Sequence, residues 1–108
     1  MELSIHLMTY NCEKFVSQCL QSLVEQKTKF PFEIVIGDDA STDKTAEIIK
    51  SYMNHYDNIN VKIHEKNIGI LRNFIDTFNR CNGKYIFDIA GDDWLSNVNA
   101  LQLLYNKL

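Results

Sequence analysis

The amino-acid sequence predicts an α/β fold, a mostly parallel sheet with helices on both faces, and three observations carry that prediction. Short apolar runs alternate with segments whose apolar residues recur at the spacing of one helical face. Each run ends in residues typical of turns and helix caps. No internal repeat, low-complexity segment or linker interrupts the alternation, so 108 residues read as a single domain, 1–108. The order βαβαβαβα gives a three-layer α/β/α, Rossmann-like arrangement.

Leu3 to Thr9 is the first expected strand, and Tyr10-Asn11-Cys12-Glu13 the turn out of it. A helix from about Lys14 to Gln26 follows, because Phe15, Cys19, Leu20, Leu23 and Val24 share one face; that stripe is expected in the core. Phe30-Pro31 closes the connection, since proline can neither continue a helix nor donate to a ladder. Glu33 to Gly37 (EIVIG) has the look of a buried strand, and the cap-rich Asp38 to Asp43 leads into a helix to about His55. That helix should bury Ala46, Ile49 and Met53 or their neighbours, with Thr42, Asp43 and Thr45 bonding its first N–H groups. Asn60 to His64 is the third strand. Ile70 to Cys81 is helical, with Leu71, Phe74, Ile75 and Phe78 on one side and Gly83 placed as a left-handed cap. Lys84 to Ile89 is the fourth strand, and Ser96 a candidate N-cap for a last helix carrying Val98, Leu101, Leu104 and Leu108.

Composition removes several classes of function. A net charge of -3 with scattered Lys and Arg gives no footprint for nucleic acid. No apolar stretch approaches the roughly 20 residues of a membrane span, and no basic segment opens the chain as in a signal peptide, so a cytoplasmic protein is expected. Cys12, Cys19 and Cys81 are odd in number without CxxC spacing, which fits reduced thiols. His6, His55 and His64 share no metal-ligand spacing.

In open parallel sheets ligands bind outside the carboxyl ends of the strands. There the sequence places Thr9-Tyr10-Asn11, Asp38-Asp39 and Gly91-Asp92-Asp93. "LMTYNCEKF" lacks the glycines of a dinucleotide turn, and no GxxxxGK[ST] is present. A carboxylate-lined cleft repels bare phosphate, so a phosphorylated ligand needs a cation such as Mn²⁺ or Mg²⁺ between the two. On pattern alone Asp92 and Asp93 are equally well read as such a site or as a solvated turn ahead of a helix.

Five blocks, "LSIHLMTYNCEKF", "PFEIVIGDDASTDKT", "EKNIGILRNFIDTF", "CNGKYI" and "GDDWLS", in this order resemble the N-terminal nucleotide-sugar-binding half of the inverting family 2 glycosyltransferases, of the GT-A fold. The resemblance covers essentially the whole chain. It implies Thr9 and Tyr10 at the nucleotide, Tyr10 packing on the base, and Asp39 accepting a hydrogen bond from a pyrimidine, with Asp38 orienting the loop. It implies Mn²⁺ or Mg²⁺ at Asp92 and Asp93, Asp93 being preferred, bridging to the diphosphate of a donor expected to be a UDP-sugar. Arg72 reaches the base or diphosphate, or is simply solvated; Trp94 roofs the sugar pocket or packs against the next helix.

The resemblance further implies transfer to a hydroxyl of a saccharide or lipid-linked acceptor, with inversion, by a base later than residue 108. Ala90 stands where many members carry an acid, and Met8 where many carry proline. The chain therefore reads as a truncated donor-binding half, and uncovered sheet edges predict self-association. A parent working in cell-surface polysaccharide synthesis, as many members do, would act peripherally at the cytoplasmic face of the membrane. The competing reading is a nucleotide-binding or self-associating module that lacks the acceptor half.

Overall fold

The computed structural model describes residues 1–108. Its elements are β1 (Leu3–Thr9), α1 (Val16–Val24), β2 (Phe32–Asp38), α2 (Thr45–Met53), β3 (Ile59–Ile63), α3 (Ile70–Arg80), β4 (Tyr85–Ala90) and α4 (Ala100–Tyr105). The strands form one sheet in the order β3-β2-β1-β4, every pair parallel. β1 is therefore interior. The chain steps outward from it to β2 and β3, then returns through α3 to place β4 on its other side.

One sheet face carries the apolar core. Leu3, Ile5 and Leu7 of β1 and Ile34 and Ile36 of β2 cluster with Val16, Cys19, Leu20 and Leu23 of α1, Ile49 of α2 and Leu101 of α4. Their spacing of two on the strands and three to four on the helices is what turns each set toward a common layer.

The opposite face is built differently. It presents Ser4, His6, Glu33 and Gly37, and α3 meets it with buried Asn73 and Thr77. Asn73 Nδ2 donates to the Gly37 carbonyl at 2.9 Å, and Arg80 reaches the Ile36 carbonyl at 2.8 Å. His6 is buried beneath Phe74, with its ring nitrogens 3.0 Å from the Phe74 carbonyl and 2.7 Å from Asp88 Oδ1. Gly37 makes the close approach possible, because a Cβ there would overlap Thr77 Oγ1 and Asn73 Oδ1.

Of the apolar side of α3 only Phe74 turns inward, half-buried against His6: Leu71 is 71% exposed, and Ile75 and Phe78 are exposed with it. A sheet face with polar groups is matched by the polar stripe of the helix, since those groups need partners once buried. Other expectations change for local reasons. Gly83 has no positive φ and caps nothing; its N–H donates to Ser4 Oγ at 2.6 Å, and a Cβ would strike the Ser4 backbone. The left-handed glycine is Gly69, φ 91°, at the start of α3. Ser96 caps no helix; α4 begins at Ala100, after a turn in which Asn97 Oδ1 accepts the Asn99 N–H at 2.8 Å. Phe15 precedes α1 and is exposed, as are Met53, Val98, Leu104 and Leu108.

Candidate functional site

A cleft of about 570 Å³ lies at the carboxyl ends of the strands, a volume typical of small-molecule sites. β1 supplies Thr9 and Tyr10, the residue after β2 supplies Asp39, and the end of β4 supplies Gly91 and Asp92; Gly69 and Ile70 close it from the start of α3. Strand order reverses at β1, so the cleft occupies the switch point where such sheets bind ligands.

Asp38 and Asp39 are adjacent and differently used. Asp38 is fully buried: Oδ1 accepts from Thr9 Oγ1 at 2.6 Å and Ser41 Oγ at 2.7 Å, and Oδ2 from the Ser41 N–H at 3.0 Å. It fastens the β2–α2 loop to β1 and does not border the cleft. Asp39 does border it, and its oxygens accept the N–H groups of Ile68 at 2.7 Å and Gly69 at 3.1 Å. That carboxylate thus closes the entry to α3, whose first turn has no side-chain cap of its own. Each oxygen keeps a lone pair for a donor in the cleft.

The loops are tied to each other as well. Asn11, at φ 47°, takes the Thr42 N–H on Oδ1 at 2.8 Å and gives its own N–H to Ser41 Oγ at 2.9 Å. Asp43 accepts the N–H of Thr45 and of Glu13. Desolvation raises the Asp43 carboxyl, but these bonds and that from the Thr45 hydroxyl outweigh it and hold the group below the usual carboxylate range. The Thr45 hydroxyl in turn accepts the Cys12 N–H at 2.9 Å. The two loops flanking β1 and β2 form one braced rim, from which Tyr10 projects, 53% exposed and free to pack on a planar group.

Asp92 and Asp93 are both exposed; Asp92 lines the cleft, and Asp93 follows it outside the lining, its Oδ1 accepting the Trp94 N–H at 3.3 Å. No three His, Cys, Asp or Glu side chains gather as a metal cage. This donor set fits an ion of the Mn²⁺ or Mg²⁺ type held by one or two carboxylates, with ligand oxygens and water completing its shell. Arg72 is exposed and outside the cleft lining, as is Trp94. Phe15, Cys12 and Asn73 border the cleft without having been singled out for it by the sequence. Only the polar alternation of β1 hinted that α3 would turn Asn73 inward.

A protein-family model described as glycosyl transferase family 2 matches residues 4–108. The chain belongs to that family. Among curated relatives, the poly(ribitol-phosphate) beta-glucosyltransferase of Bacillus spizizenii is 36% identical over 98% of this chain and 17% of its own length. Staphylococcus aureus TarS 1–349 in complex with UDP superposes with a TM-score of 0.85 at 32% identity, covering 98% of this chain and 31% of that one. Its complex with UDP-GlcNAc gives 0.82 at 32%, covering 99% and 30%. The mannosyltransferase PcManGT from Pyrobaculum calidifontis, in complex with GDP-Man and Mn²⁺, shares the fold, with a TM-score of 0.80 at 19% identity, over 95% of this chain and 32% of that one. The family 2 domain described here spans between 15% and 27% of the length of the curated relatives it matches. No helix is long and apolar enough to cross a membrane.

Proposed function

We propose that residues 1–108 form the donor-binding domain of a family 2 glycosyltransferase and that the donor is a UDP-sugar. The observation that carries this is the convergence of Tyr10, Asp39 and Asp92 on one cleft at the switch point. An aromatic face, a carboxylate with free lone pairs and an exposed acid match the three parts of such a donor: base, N–H edge and diphosphate. The UDP and UDP-GlcNAc complexes of the 32% identical TarS support the choice of uridine.

In this reading Tyr10 packs on the base and Asp39 accepts its ring N–H, while Thr9 and Asp38 hold the rim in place. Asp92, with Asp93 beside it, would hold Mn²⁺ or Mg²⁺ against the diphosphate. The ion would supply Lewis-acid stabilisation of the leaving diphosphate. Asp38 and Asp39 are engaged by the loops, and Asp92 and Asp93 belong to the diphosphate end. By the resemblance to the inverting members of the family, the base that deprotonates the acceptor hydroxyl is assigned to a carboxylate later than residue 108. Arg72 sits outside the cleft and is assigned no more than a long-range attraction for the donor's charge. The acceptor is a saccharide or a lipid-linked glycan, and the proposed setting is the cytoplasmic face of a membrane.

Calorimetric titration with UDP, with and without Mn²⁺, tests the proposal. Binding should require the ion and fall about tenfold or more, or ~1.4 kcal/mol, in Asp92→Ala, with Asp93→Ala reporting how the pair divides the load. Metal-independent binding unaffected by either variant would refute the assignment.

A further inference from the structure

Cys12 and Gly91 meet where the exit of β1 and the end of β4 come together at the cleft. Gly91 is buried, its N–H donates to the Met8 carbonyl at 3.2 Å, and its φ is not positive. Glycine is therefore required there for space. A Cβ at this position would lie 2.9 Å from Cys12 Sγ, 3.0 Å from Thr9 Cγ2 and 3.3 Å from the Met8 oxygen. The first two of these separations lie inside ordinary carbon–sulfur and carbon–carbon contact, the sulfur being the nearest atom, so the neighbours or the glycine would have to move.

Cys12 is poorly placed to yield. Its N–H donates to Thr45 Oγ1, and its carbonyl accepts the N–H groups of both Phe15 and Val16 at 2.9 Å, which starts α1. Cys19, one layer deeper on α1, points its thiol at the Ala90 carbonyl from 3.7 Å. Two buried thiols thus bracket the Ala90–Gly91 peptide, and the next residue is Asp92. A displaced β4 terminus is the easier response to any side chain added at position 91, because β4 is an edge strand paired only with β1.

We propose that Cys12 and Gly91 are a matched pair of positioning residues: the absence of a side chain at 91 and the fixed thiol at 12 set where Asp92 enters the cleft. The inference rests on the donor-site reading above. It assigns the seating of the acidic turn to a cysteine and a glycine at the cleft wall.

The test uses the 108-residue chain with Gly91→Ala, Cys12→Ala and the double variant. It reads the backbone amide signals of Asp92 and Asp93 by NMR and the Mn²⁺-dependent UDP affinity by calorimetry. Gly91→Ala should shift both amides and weaken UDP binding by about tenfold. The double variant should return the amides toward their wild-type positions and recover affinity to within about threefold of Cys12→Ala. If Gly91→Ala does not fold, Cys12→Met, which presses on the same contact from the other side, should shift the same two amides. Unmoved amides, or a double variant that recovers neither signal, would overturn the pairing. Should the wild-type chain bind no UDP while the amides move and recover as stated, the donor reading fails and the positional pairing stands.

Discussion

At Asp38 both carboxylate oxygens are taken up by Thr9 and Ser41, so truncation strands a buried hydroxyl at the end of β1 and two half-buried donors on the β2–α2 loop. Asp38→Ala should cost about 1–3 kcal/mol of stability. In a chain of this size that lowers the melting temperature by roughly 4–8 °C for each kcal/mol. Asp39→Ala frees the Ile68 and Gly69 N–H groups at the cleft wall, where water can reach them. Its thermal loss should be the smaller of the two and its loss of UDP affinity the larger; calorimetry beside thermal unfolding separates the roles. Glu33 gives a pH dependence of the same residue-level kind. Burial pushes its carboxyl up, but hydrogen bonds from Ser4 Oγ, the Asn82 N–H and the Asn82 side chain outweigh that and hold it below its ordinary value of 4.5. A carboxylate depressed on folding contributes fully above the unfolded value, and the contribution fades as pH falls through the folded one. Stability should therefore decline on acidification below about pH 4.5, and Glu33→Gln should flatten that part of the profile in denaturant titrations across pH.

The docking of α3 is the clearest element-level consequence of the sequence. Gly37→Ala inserts a methyl into Thr77 Oγ1 and Asn73 Oδ1, an overpacking expected to cost about 1–3 kcal/mol. Thr77→Ala in the same chain should restore part of it; a purely additive double variant in urea unfolding would argue that the helix does not rest on this contact. The strands and their order of appearance were legible because short β-branched and apolar segments, some continuous and some alternating, end in turn residues. The direction in which the α3 stripe faces was not legible, because periodicity identifies an apolar stripe and says nothing about the surface awaiting it. The missing half of the information lay in β1, where Ser4 and His6 alternate with Leu3, Ile5 and Leu7: a strand buried on both sides with one polar side demands a polar partner. The site divides along the same line. Tyr10, Asp39 and Asp92 were legible as strand-end residues, while Arg72 shares a sequence block with the cleft-lining Gly69 and Ile70 but falls on the far side of the helix. Gly91 and Cys12 carry no side-chain signal of the role proposed for them, which exists only as a distance between the segments that follow β4 and β1.

For the molecule as a whole, the sheet leaves two surfaces of consequence besides the cleft. β4 pairs with β1 alone, so its outer backbone edge is open. On the α3 side, Leu71, Ile75 and Phe78 are exposed, and Ile86 of β4 faces the same side of the sheet. Exposed apolar side chains on the same side of the sheet as an unpaired strand edge favour association. The 108-residue chain should accordingly self-associate, with an average mass in sedimentation velocity that rises over tens of micromolar, as mass action requires. Leu71→Glu with Ile75→Lys should shift the population to monomer. UDP binding should survive that change, because neither residue lines the cleft, which α3 serves through Gly69, Ile70 and Asn73. Separation of the two properties is the decisive result: monomers that bind donor make the apolar flank a surface awaiting a further layer of structure. Loss of binding on dissociation would instead mean that a second copy completes the cleft, and a monomeric wild-type chain would remove the association argument altogether.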